Sequence, residues 1–213
     1  MSDVLVSDTP QGVPTLDISG TTAPPFHRHV GVELRKLVDT RAGKWLLIVM
    51  AVLTALVMVI QLIVGLTQDI TLRYADFIAG TTYSIGFLLP ILAILLLTSE
   101  WGQRTAMVTF SLEPNRVKVV LAKLAAACLV AFASVVFAIA FGGLANGLFG
   151  ALSDTGASWD TSALELGAFL LVQLLAVLTG FALAALFLNT PAAIVVYFAY
   201  MFVLPGLFAL GAF

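Results

Sequence analysis

Residues 98–123 read TSEWGQRTAMVTFSLEPNRVKVVLAK, and this stretch decides how the chain is built. It carries Glu100, Arg104, Glu113, Arg116, Lys118 and Lys123, while the sequence on either side is apolar and almost free of charge. The flanking runs, Gly80–Leu97 and Val119–Leu144, are each long enough to supply the roughly 17–25 residues that an apolar helix needs to cross a bilayer. Three more runs of this kind lie further out, at Trp45–Leu66, Leu164–Leu188 and Ala192–Phe213. Backbone groups in lipid have no water to bond to, so such runs form helices that satisfy themselves. The alternating pattern of a membrane β-barrel is absent.

Composition agrees. Hydrophobic residues make up 61% of the chain and charged residues 10%, with a mean hydropathy of +1.07. Water-soluble domains carry about a quarter charged residues. The expected fold class is therefore all-α, a polytopic helical membrane protein.

The placement of charge predicts its orientation. Nine of the ten Lys and Arg residues precede the first run or lie between the second and third, and only Arg73 lies between the first and second. Basic loops stay on the cytoplasmic side. This predicts a multi-pass protein of the plasma (inner) membrane with its N-terminus and residues 98–123 in the cytoplasm. Loops 67–79 and 151–163 then lie outside, and Asn189-Thr190-Pro191 lies inside again. Cys128 is the one cysteine, so no disulfide framework arises.

Residues 1–25 are rich in Ser, Thr, Asp, Pro and Gly and read as a disordered cytoplasmic tail. From 26 to 44 the pattern changes. Val30, Leu34, Leu37, Val38 and Trp45 recur at helical spacing with charges between them, which predicts an amphipathic helix in the membrane interface. The plainer alternative is a solvated start of the first span. His27 and His29 form an H-x-H pair with no further metal ligands nearby, so they read as solvated histidines. Residues 45–213 form the transmembrane domain.

No ionisable residue lies deep in the five runs, Lys123 and Glu165 being near enough to the ends to reach the interface. That disfavours an ion-coupled secondary transporter. No catalytic or metal-binding set and no phosphate-loop motif is present, so the chain reads as non-catalytic, and if it moves something uphill the energy comes from another polypeptide. The spans offer Gln61, Tyr83, Gln173, Thr179, Tyr197 and Tyr200 as polar groups, and a cavity lined this way suits a lipid or a drug-like amphipath. Gly143 and Gly147 form a G-x-x-x-G pair for close helix packing, within the chain or across a dimer. Pro90 frees a backbone carbonyl in the second run.

The central segment itself predicts a short helix lying along the membrane, with Met107, Val108 and Phe110 as its apolar residues and Pro114 opening the next span. Glu100, Gly102, Arg104, Thr105, Pro114, Arg116, Ala122, Lys123 and Leu124 together resemble the permeases of type-2 ABC exporters. Glu33-Leu34-Arg35-Lys36-Leu37 resembles the interfacial elbow helix of the same family. The resemblance implies a six-span permease, here with five visible spans, that pairs with a second permease as a homo- or heterodimer. It implies cytoplasmic ABC ATPase subunits as partners, which bind ATP and Mg, while this chain binds no cofactor, metal or nucleic acid. Residues 98–118 become the coupling helix, with Glu100, Trp101, Gly102, Arg104, Thr105, Met107, Phe110, Pro114 and Arg116 as coupling residues. A sixth span would follow Phe213. The rival expectation is a membrane scaffold that transports nothing.

Overall fold

The computed structural model describes residues 24–68, 70–113, 115–209 and 211. Pro114 and all but the last two residues of the expected tail lie outside the described residues. Among the described residues seven helices follow in order: α1 (Phe26–Asp39), α2 (Arg41–Thr67), α3 (Tyr74–Gly102), α4 (Ala106–Leu112), α5 (Arg116–Leu152), α6 (Ala163–Phe187) and α7 (Thr190–Ala209). Among the described residues the only β pairing is a single bridge between Arg73 and Ser158. Helices α2, α3, α5, α6 and α7 are each long and apolar enough to cross a membrane.

Helices α2, α3 and α5 outrun the apolar runs that announce them. Helix α5 has 37 residues, about 55 Å at the ~1.5 Å rise of an α-helix. It starts where Asn115 Oδ1 accepts the Lys118 N–H at 3.1 Å, a side-chain cap. Helix α6 starts with a capping box in which the Ser162 hydroxyl and the Glu165 carboxylate accept each other's backbone N–H groups. Between α1 and α2 the chain bends at Thr40, whose hydroxyl accepts from Gly43 N–H. A Cβ on Gly43 would run into the Leu37 carbonyl, so glycine sets how tightly this elbow closes.

Helix α3 is the hub, with α2, α5, α6 and α7 all packed against it. Phe77, Leu89, Leu92, Ala93 and Ile94 are fully enclosed, and Phe77 meets Phe149 of α5 edge-on at 6.2 Å. Pro90 sits in mid-helix and α3 continues through it. A proline has no N–H for the carbonyl four residues back, which here is Gly86. The Tyr197 hydroxyl of α7 donates there instead, placed 3.2 Å from both Gly86 O and Phe87 O. Gly180 of α6 lies directly on the Pro90 backbone, where a Cβ would collide. Pro90 is thus the point where three helices meet.

The two loops expected on one side do meet. Tyr74 N–H donates to Ser158 O at 2.9 Å, and the rings of Tyr74 and Trp159 lie 5.5 Å apart. At the opposite end lie α1, α4 and the α6–α7 link, where the Thr98 and Thr190 hydroxyls hydrogen-bond at 2.7 Å.

Candidate functional site

The amphipathic helix α1 does not simply float at an interface. Val30, Glu33 and Leu37 share one face by the three- and four-residue spacing of a helix, and that face is buried against the bundle. Glu33 is thereby carried inward with its apolar neighbours. It meets Lys123 of α5, which is only 1% exposed although it reads in the sequence as an interfacial, snorkelling lysine. Expected at the headgroup layer, Lys123 instead points into the protein because two carboxylates wait there.

The geometry is a four-membered ring of charge. Lys123 Nζ lies 2.7 Å from Glu33 Oε2 and 3.3 Å from Glu100 Oε1. Lys36 Nζ lies 2.8 Å from Glu33 Oε1 and 2.8 Å from Glu100 Oε1. Two ammonium groups face two carboxylates, so the cluster is neutral and joins α1, α3 and α5. Lys36 forms its open corner, its side chain 43% exposed. Burial works against the Lys36 charge, but the carboxylates of Glu100 and Glu33 outweigh it and hold its pKa above the usual lysine value. Glu100 Oε2 is buried with no hydrogen-bond partner, the one unmet acceptor in the ring.

Glu100 is fixed from the backbone as well. Helix α3 ends in a Schellman motif: Thr105 N–H donates to Glu100 O at 2.9 Å and Arg104 N–H to Trp101 O at 3.1 Å. The left-handed position of this motif, normally glycine, is Arg104 at φ 59°. Gly102 lies inside the helix with open space around it. The turn launches α4 directly from the residue that holds the charge ring.

Within the expected coupling residues the structure separates inward from outward. Phe110 turns back onto Trp101, rings 6.0 Å apart, and the Arg116 guanidinium sits 5.3 Å over its face. Met107, 80% exposed, and Val108 project outward. Arg104 and Thr105 are exposed beside them. A cavity of about 420 Å³ lies between α1, α4 and α5, with Glu33, Lys36, Thr109 and Glu113 among its walls. There His29 Nε2 comes within 3.2 Å of Glu113 Oε2, without the alignment of a hydrogen bond, so His29 is not simply solvated. Lys118, hydrogen-bonded to Glu113 at 2.8 Å, holds that carboxyl below the usual glutamate range.

The six polar residues expected to line one cavity are dispersed. Tyr83 (80% exposed) and Tyr200 face outward, and Gln61 donates to Asp76 O on α3 at 2.8 Å. Thr179 donates to its own helix at Leu175 O, and Tyr197 serves the Pro90 break. Gln173 is fully buried with its amide unpartnered, as is Asn146 of α5, a polar group overlooked in the sequence. Among the described residues a Cβ on Gly147 would meet nothing, and one on Gly143 only the rims of Trp159 and Tyr74 at ordinary contact distance, so neither glycine is required for close helix packing within this chain. Among the described residues no group of three or more His, Cys, Asp or Glu is arranged to hold a metal.

No family model, no curated protein and no solved structure matches the chain.

Proposed function

We propose that the protein is a multi-pass membrane permease, the membrane-spanning subunit of an ATP-driven ABC exporter, with α4 as its coupling helix. One observation carries the reading: α4 presents Met107 and Val108 to the outside while its root, Glu100, is locked into a buried charge ring. A partner that grips the two apolar side chains pulls on a rigid joint. Through Glu33 and Lys123 that joint reaches α1 and α5, and through α3 it reaches the whole bundle. The partner is a cytoplasmic ATPase that binds ATP and Mg, and the N-terminus and α4 face it from the inner side of the plasma membrane. A second permease subunit completes the pathway, with the open α5 surface around Gly147, Leu144 and Leu148 as its contact. The lack of charge deep in the apolar runs favours a lipid-like or amphipathic cargo.

The test replaces Met107 and Val108 together with Ala. Apolar anchors dominate most interfaces, so association with a co-expressed ATPase should fall at least about tenfold, with normal membrane abundance. Phe110→Ala should instead lower stability, because that ring packs inward. Unchanged ATPase binding and cargo efflux in the double variant would defeat the exporter reading and leave a membrane scaffold.

A further inference from the structure

Two apolar hollows run along α1 and meet at Leu34. One, about 290 Å³, lies between α1, α2 and α5 and is lined by Val38, Leu47, Met50, Ala133 and Phe137. The other is shallow and open, between α1 and α5 beside Cys128 and Phe132. Immediately round the helix from Leu34 and Val38 come Arg28 and Arg35, one helical step of about 100° on. Arg41 and Lys44 follow at the first turn of α2. All four are exposed, and among the described residues none of their side chains makes an ion pair or hydrogen bond. Asp39 is the only exposed acid between Arg28 and Lys44, Glu33 being buried in the charge ring, so the surface keeps a net positive charge.

We infer that this surface is a binding site for an anionic phospholipid, with its phosphate against Arg35, Arg41 and Lys44 and one acyl chain in the Val38–Met50–Phe137 trough. Depth supports the assignment. From Arg41 to Met50 the helix descends about 14 Å, close to the ~15 Å of hydrocarbon in one leaflet. A soluble acidic peptide would satisfy the cations but leave the trough empty, and a neutral lipid would fill the trough but leave the cations unmet. An anionic lipid does both. The inference rests on the helices lying in a membrane and not on the exporter reading.

The test uses the full chain in lipid nanodiscs containing phosphatidylcholine with a minor fraction of phosphatidylglycerol. Either lipid carries a photoactivatable group on one acyl chain. Labelled peptides should map to Leu34–Met50 and Val130–Phe137, with phosphatidylglycerol favoured about tenfold or more. Neutralising Arg35, Arg41 and Lys44 together to Gln should remove that preference, since each cation beside an anionic headgroup contributes about fivefold. Ala133→Trp, which fills the trough and leaves the charges in place, should suppress labelling there by both lipids; Ala133→Leu is the milder variant if the first does not fold. Inorganic phosphate should not compete. Equal labelling by the two lipids, a preference that survives the triple substitution, unchanged labelling in both Ala133 variants, or displacement by free phosphate would each overturn the site.

Discussion

Removing the Lys123 ammonium should be among the most damaging single changes the protein can suffer. In Lys123→Met two carboxylates, Glu33 and Glu100, are left with one ammonium between them, that of Lys36 at 2.8 Å from each. Breaking a buried ion pair by deleting one partner costs ~3–5 kcal/mol, because a charge remains out of water and uncompensated. For a chain of this size ~1 kcal/mol corresponds to about 2–4 °C of melting temperature, so the loss should be about 10 °C. Lys36→Met removes an equal charge at the open corner, where water screens it, and should cost only ~1 kcal/mol. The decisive variant is Lys123→Met with Glu33→Gln. It restores a one-to-one pair of Lys36 with Glu100 and should recover at least half of the lost stability, a coupling of ~1.5 kcal/mol or more. Detergent-solubilised protein heated at a fixed rate, with loss of the monodisperse peak as readout, gives the ranking even where unfolding is irreversible. If Lys123→Met is no worse than Lys36→Met, or if the two single costs simply add in the double variant, the ring is not acting as a unit.

Further outcomes follow from the same geometry. Arg104→Gly should raise stability by ~1 kcal/mol, because it relieves a left-handed residue, while Arg104→Val should lower it; thermal melts of the pair check this. Tyr197→Phe orphans the carbonyl freed by Pro90 and should cost ~1–3 kcal/mol, and Gly180→Val should be worse because its Cβ strikes the Pro90 backbone. Lys36 has a folded pKa above its unfolded value, so its contribution is complete below the unfolded lysine value of about 10.4 and disappears as pH rises through the folded pKa. Stability should therefore not decline on this account between about pH 7 and pH 10, and should fall above that; a fall that begins below pH 9 would contradict the pairing.

The helices were legible because lipid imposes a simple demand, an apolar run of spanning length, and α2, α3, α5, α6 and α7 answer it. Their ends were less so. Tyr74–Ile78 and Ala145–Leu152 extend α3 and α5 past the most apolar stretches, because caps and loop contacts set helix ends as much as hydropathy does. The charge ring was almost invisible. Glu33 and Lys36 read as the polar face of an interfacial helix, and only the phase of Glu33 with Val30 and Leu37 hinted that it points inward. Lys123 gave a similar hint, lying between Ala122 and Ala126 on the buried face of α5. The dispersal of Gln61, Tyr83 and Tyr200 could not be read at all, since composition says which residues a span contains and not which way each one faces. The exposed Met107 and the inward Phe110 look alike in sequence for the same reason.

The ring also sets an order in time. Glu33 leaves the ribosome 90 residues before Lys123, a lag of roughly 5–20 s at ordinary translation speeds. Through that interval α1 holds a carboxylate on its apolar face with only Lys36 to answer it, and water at the membrane surface must shelter it. Helix α1 can reach its final seat only once Lys123, near the start of α5, has been made. The earliest of the described helices thus waits for the fifth before its buried charge is met in full.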